Sequence, residues 1–120
     1  MRDNVVVDKS MSFAVRVVKL YKYLVSEKGE TVMSKQLLRS GTSIGANVRE
    51  GVYAQSKSDF INKMTVAVAL KEVSESEYWL ELLAKTEYLS EEQYESIKAD
   101  CSEVAKLLTA IVKSSKGKAN

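Results

Sequence analysis

Proline is absent from all 120 residues of this chain, and glycine occurs only five times. These are the residues that most often end helices and build turns, so a chain almost without them favours long, uninterrupted helices. The chain is 45% apolar and 28% charged, a balance typical of one compact domain of this length. We therefore predict a single all-α domain over residues 1–120.

Apolar residues recur at spacings of three and four along four segments, as on helices that each bury one stripe. Gly29 follows the first stripe where a C-terminal cap is expected, and Ser56 with Asp59 and Ser90 with Gln93 have capping-box spacing. Short joints make neighbouring long helices antiparallel. The sequence predicts an antiparallel up-down-up-down four-helix bundle, with helices over about residues 9–27, 33–54, 57–86 and 90–114.

The fourth segment has an unbroken apolar seam with alternating steps of three and four, typical of bundle packing. Its members are Tyr94, Ile97, Cys101, Val104, Leu108 and Ile111. Cys101 is the only cysteine and the chain has no histidine to activate it, so we interpret it as a small core residue. With no secretion signal and no apolar run of roughly 20 residues, we expect a cytoplasmic protein without a membrane span.

The third segment has two apolar faces. One arc includes Val68, Tyr78, Trp79 and Leu82, and charged residues interrupt it. The opposite patch is free of charge and consists of Val66, Ala69, Val73, Leu80 and Ala84. Because a bundle needs one buried stripe per helix, we predict that the opposite patch is an interface between copies of the chain. The alternative is that neighbouring helices of the same chain cover it.

A stripe of polar residues on the second helix and charges on the third predict a polar layer that sets the helix register. Its members are Arg39, Ser43, Asn47, Glu50, Lys71, Glu72 and Glu75. We expect Arg39 or Arg49 to pair with Glu72 or Glu75, and Glu50 to pair with Lys71, within the chain or across a subunit boundary.

Catalysis finds little support in the sequence. Helical bundles that bind two metal ions use glutamates together with Glu-x-x-His pairs, and this chain has no histidine. No glycine-rich loop has the spacing of a phosphate cradle. We predict no catalytic, cofactor or metal site, and the alternative of a metal-dependent enzyme would use Glu50, Glu72 and Glu75.

Positive charge is concentrated in the first half of the chain. Residues 1–57 have ten Lys/Arg and five Asp/Glu, a net +5, whereas residues 58–120 have eight and eleven, a net −3. This polarity could steer an anionic partner or let copies pack basic side to acidic side. The candidate nucleic-acid contacts on the first helix are Lys9, Arg16, Lys19 and Lys22, beside Tyr23. The alternative is an ordinary solvated face.

Three segments together resemble a known family: SKQLLRSGTSIGANVREG at 34–51, SDFINKM at 58–64 and KEVSESEYWLELL at 71–83. They are similar to bacterial four-helix-bundle proteins encoded in 23S rRNA intervening sequences, also called S23 ribosomal proteins. These proteins are related to the accessory variability proteins of diversity-generating retroelements. The resemblance covers nearly the whole chain.

The resemblance implies a homopentamer of four-helix subunits without catalytic activity. Its retroelement relatives imply RNA or DNA and a reverse transcriptase as partners. The sequence therefore predicts a non-enzymatic homo-oligomeric scaffold, and the alternative is a helical module that binds only proteins.

Overall fold

The computed structural model describes the backbone of residues 2–53 and 63–119, and the side chains of residues 5–52 and 65–113. The described residues form four α-helices: α1 (Arg2–Lys28), α2 (Met33–Tyr53), α3 (Lys63–Lys85) and α4 (Glu91–Ala119). The predicted all-α class is confirmed. The predicted cap at Ser56 and Asp59 lies outside the described residues. None of the described helices has the apolar length that spanning a bilayer requires.

Two helices are longer than predicted. α1 begins at Arg2 because Val6 and Val7 are buried and extend the stripe of the first helix toward the N-terminus. α4 continues to Ala119, through the lysine-rich tail that we expected to lie beyond the helix.

Adjoining helices are antiparallel, because residue numbers rise on one helix and fall on its neighbour along each contact. The contacts are Ser10–Gly45 and Val17–Gly41 between α1 and α2, Ser40–Ser76 and Gly51–Thr65 between α2 and α3, and Lys9–Glu103 and Arg16–Asp100 between α1 and α4. The short turn before Glu91 reverses the chain between α3 and α4. In the described part of the chain α1 does not contact α3, so these two helices occupy diagonal corners of the bundle.

The core consists of one apolar stripe from each helix. Its α4 members confirm the predicted seam, since Ile97, Cys101, Val104, Leu108 and Ile111 are all buried and the half-buried Tyr94 packs against them at the edge of the core. Burial, helped by the negative charges of Glu77 and Asp100, raises the pKa of the Cys101 thiol to about 12. The thiol is therefore protonated at neutral pH and acts as a small apolar core group, as predicted.

Two of the three predicted helix-end features lie within the described residues, and both are confirmed. Gly29 has a φ of 66°, the left-handed conformation that ends a helix without a Cβ penalty. At the start of α4, the Ser90 backbone N–H donates to Gln93 Oε1 at 2.8 Å, and the Gln93 N–H donates to Ser90 Oγ at 3.0 Å. This reciprocal pair is a capping box.

The start of α2 has a cap that the sequence did not reveal. Glu30 is buried, and its carboxylate accepts hydrogen bonds from the backbone N–H groups of Val32, Met33 and Ser34 at 2.7–3.1 Å. Burial favours the neutral acid, but these backbone hydrogen bonds outweigh it and lower the pKa of Glu30 below its ordinary value. The side chain thus satisfies amides that have no partner inside α2.

Replacing Glu30 with Gln should destabilise the protein by about 1–2 kcal/mol at pH 7, because an ionised cap of three amides is lost. Since the folded pKa is the lower one, this stability is fully present above the unfolded pKa and disappears as pH falls through the folded pKa. Urea unfolding at several pH values should therefore show the two proteins converging in acid. Glu27→Gln, at an exposed position, is the control and should change stability little.

α1 packs more tightly against Gly41 than against Gly45 of α2. A Cβ there would lie 2.8 and 2.9 Å from the two methyl groups of Val17, whereas a Cβ at Gly45 would lie 3.5 Å from the Ser10 carbonyl oxygen. Val17 is fully buried and β-branched, so its methyl groups cannot move aside easily. Gly41 is therefore required by packing, while Gly45 tolerates a side chain.

Gly41→Ala should cost about 1–2 kcal/mol of unfolding free energy, because overpacking exceeds the gain in helix propensity. Gly45→Ala should stabilise by about 0.5–1 kcal/mol, because it gains propensity without a clash. Urea unfolding followed by circular dichroism at one protein concentration measures both. Equal effects of the same sign would contradict the close approach at Gly41.

Candidate functional site

The two apolar faces of α3 lie the opposite way round from our prediction. The face predicted to contact another copy is buried in the bundle, and the other face points outward. Of the predicted interface residues, Val66, Ala69, Val73 and Leu80 are at most 2% exposed, and Ala84 packs against the same core. They are covered by the chain's own helices, so the prediction that another copy covers them is wrong. The physical reason is charge: this patch has none, and it can be buried without desolvating an ion.

The face of α3 that points outward is the arc with interrupting charges. Val68 is 43% exposed and Tyr78 is 57% exposed, while Trp79 and Leu82 are half-buried. The rings of Tyr78 and Trp79 meet edge to face, with centroids 4.9 Å apart. We call Val68, Tyr78, Trp79 and Leu82 the α3 patch. It is an apolar and aromatic surface at the edge of the core, against which Trp79 packs in part.

The predicted ion pair across α2 and α3 is confirmed, and it is a double one. Arg39 Nη2 lies 2.6 Å from Glu75 Oε1, and Arg39 Nη1 lies 3.5 Å from Glu72 Oε2. Trp79 Nε1 donates a hydrogen bond to the other oxygen of Glu75 at 3.0 Å. The hydrogen bond from Arg39, and next that from Trp79, lower the pKa of Glu75.

Glu75 therefore remains ionised at neutral pH, and it connects the α3 patch to α2. Because the Arg39 side chain is 50% exposed, the pair adds little stability. The other oxygen of Glu72, Oε1, is buried and has no hydrogen-bond partner within the described residues.

The remaining members of the predicted polar layer do not bridge the helices. Ser43 Oγ donates to the Arg39 carbonyl at 2.6 Å, and Asn47 Nδ2 donates to the Ser43 carbonyl at 2.9 Å, so both bond within α2. Among the side chains that the structure describes, Glu50 and Lys71 are exposed and do not pair with each other. Fewer side chains of the predicted polar layer thus join α2 to α3 than we expected.

One buried polar contact between helices was missed by the sequence analysis. Ser40 Oγ and Ser76 Oγ lie 2.9 Å apart, and both residues are fully buried. The available signal was the position of Ser76 on the apolar stripe, between Val73 and Leu80. A hydroxyl at such a position needs a partner, and Ser40 on α2 supplies it.

The predicted basic surface of α1 is partly neutralised by α4. Lys9 Nζ lies 3.5 Å from Glu103, and Arg16 lies 2.8 Å from Asp100. Arg16 also donates to the carbonyl and hydroxyl oxygens of Ser96. Two of the four predicted nucleic-acid contacts are therefore held by α4.

Lys19 and Lys22 are exposed, and no ion pair engages them in the described part of the chain. Arg16, Lys19 and Tyr23 border a cleft of about 510 Å³ between α1 and α4, whose walls include Leu89.

A second exposed apolar surface lies on α1, and the sequence analysis did not identify it. Met11 is 46% exposed and Val15 is 45% exposed, and Val18 beside them is half-buried. The signal was their spacing of four and three, which places them on one helix face. We call these three residues the α1 patch. Lys19 and Lys22 border it.

The described residues contain no group of three or more His, Cys, Asp or Glu side chains placed to hold a metal ion. The described features that bear on function are therefore the two apolar patches, the Arg39 ion pairs and the uneven charge of the surface.

This architecture is shared with known proteins. A family model described as 23S rRNA-intervening sequence protein matches residues 2–110. The chain is also similar to a crystal structure of a protein with unknown function from the S23 ribosomal protein family of Bacteroides thetaiotaomicron VPI-5482. The two are 62% identical with a TM-score of 0.87, over 94% of this chain and 99% of that chain. No curated protein matches. The resemblance seen in the sequence is thus confirmed, and the chain belongs to the 23S rRNA-intervening sequence protein family.

Proposed function

We propose that this protein is a non-enzymatic scaffold that assembles from identical copies and binds other macromolecules. The observation that carries the proposal is the apolar surface left outside a completed core. The core already buries one stripe of each helix, yet Met11, Val15, Val68 and Tyr78 are each more than 40% exposed. Neighbouring apolar side chains on a surface are typical of protein contacts.

A second copy of the same chain is the partner that is always present, so self-association is the simplest way to cover these patches. The resemblance to the family implies five copies, and we propose a homopentamer. The location is proposed to be the cytoplasm.

The state of the candidate acid and base groups supports a non-enzymatic role. Glu72 and Glu75 are the paired carboxylates that acid–base chemistry would require, and Arg39 contacts both. The lowered pKa of Glu75 keeps it ionised, so it cannot donate a proton near neutral pH. The thiol of Cys101 is buried and protonated.

The protein should sediment as an oligomer at micromolar concentration. The double variant Val68→Lys with Tyr78→Lys should weaken this assembly roughly 30-fold or more, because removing an aromatic interface anchor costs about 2 kcal/mol or more. Analytical ultracentrifugation across a concentration series measures the shift. Ala99→Lys with Thr109→Lys, at exposed positions on α4, is the matched control and should not alter assembly. A folded wild-type monomer at these concentrations would disprove the scaffold.

Nucleic-acid binding is the second candidate function, and the basic side of the bundle favours it. α1 and α2 lie next to each other, and the described side chains of residues 5–52 on and between these helices have eight Lys/Arg and four Asp/Glu, a net +4. Lys19 and Lys22 on α1 and Lys35 and Arg49 on α2 are exposed there. The proposed partners are RNA or DNA, together with a nucleic-acid-processing enzyme such as a reverse transcriptase, as the family resemblance implies.

Binding to a labelled single-stranded RNA should weaken as salt rises, because bound cations are released from the phosphates. Lys19→Ala with Lys22→Ala should reduce the slope of log affinity against log salt by roughly 1–2, since two phosphate contacts are lost. Lys106→Ala with Lys113→Ala on α4 is the control of equal charge change. Binding that is absent, or that does not respond to salt, would exclude this function.

A further inference from the structure

The two apolar patches lie on helices that do not touch each other. α1 and α3 occupy diagonal corners of the bundle, so their outward faces point in opposite directions. We infer that the α1 patch of one copy packs against the α3 patch of the next copy, in a head-to-tail contact. This inference rests on the proposed self-assembly and specifies which surfaces form it.

Charge decides between this pairing and the two symmetric ones. Among the described side chains, α1 has five Lys/Arg and two Asp/Glu, a net +3, and α3 has two Lys and four Glu, a net −2. Lys19 and Lys22 border the α1 patch, and Glu77 directly precedes Tyr78 of the α3 patch.

Joining two α1 patches would bring together two helices of net positive charge, and joining two α3 patches would bring together two helices of net negative charge. Packing α1 on α3 instead brings helices of opposite net charge together, and like charges across an interface are strongly unfavourable. On the outward side of α3, Arg39 contacts Glu72 and Glu75, Glu81 pairs with Lys85, and Lys71 is exposed.

The bundle is large enough for such a contact. It measures 48 by 21 by 21 Å, so one long side offers roughly 1,000 Å², and stable interfaces bury about 800 Å² on each partner. A contact that joins two different surfaces repeats from copy to copy, and it closes into a ring when the rotation per copy divides a full turn. With α1 and α3 in the contacts, α2 and α4 form the inner and outer walls of the ring.

Two variants test the pairing, each blocking one patch with charges that repel the opposing surface. Met11→Asp with Val15→Asp blocks α1, and Val68→Lys with Tyr78→Lys blocks α3. All four positions are exposed, so both variants should fold, and thermal unfolding followed by circular dichroism checks this. Each variant alone should sediment as a monomer.

An equimolar mixture gives the decisive result. The α1-blocked variant retains an intact α3 patch and the α3-blocked variant retains an intact α1 patch, so the mixture should form a 1:1 dimer and nothing larger. If wild-type protein assembles but the α1-blocked variant also still assembles, or the mixture stays monomeric, the head-to-tail contact is wrong while self-assembly stands. If wild-type protein is itself monomeric, the proposed self-assembly fails and the contact fails with it.

Discussion

The small side chains of α2 at its contacts with α1 and α3 are the constraint on which the rest of the structure depends. Gly41 lets α1 approach until Val17 fills the space of a missing side chain, and Gly51 does the same for Thr65 on α3. Small residues provide close contact but little apolar area to fix the register of the helices. Polar contacts also join α2 to α3: Ser40 with Ser76 inside the bundle, and Arg39 with two glutamates at its edge.

The orientation of α3 shows how charge outweighs apolar volume in selecting a core face. The outward arc has larger side chains than the buried one, including Tyr78 and Trp79, and this made it resemble a core stripe. Turning it inward would bury Lys71, Glu72 and Glu75, at several kcal/mol for each ion without a complete set of partners. Leaving an apolar side chain partly exposed costs about 1.5–3 kcal/mol at most. The face without charges is therefore inside, and its aromatic opposite is left on the outside of the bundle.

Features set by neighbouring residues in the chain could be predicted from the sequence, whereas features set by pairs of helices largely could not. The cap at Gly29, the Ser90–Gln93 box and the seam through Cys101 depend on spacing alone, and each was found. The Arg39 pair was predicted because charges on facing helices offered few combinations.

Other features require the three-dimensional register. Arg16 is held by Asp100, 84 residues away, and no spacing rule links them. Glu30 could not be distinguished from a solvated loop glutamate until the turn brought three backbone amides to its carboxylate. The α1 patch was likewise hidden, because its exposure depends on which flanks α2 and α4 cover.

The two proposed functions compete for the same lysines, and this determines where a nucleic acid would bind. Once the α1 patch is covered by the next copy, Lys19 and Lys22 lie at the rim of that contact, and Lys9 and Arg16 already pair with α4. An assembled scaffold would then bind anions chiefly through the outward side of α2. Lys35 and Arg49 are exposed there and would repeat in every copy. Repetition matters because phosphate contacts are individually weak and add along a polyanion. The proposed assembly would therefore do more than cover apolar surface: it would leave α2 as the main accessible basic surface and repeat it in every copy.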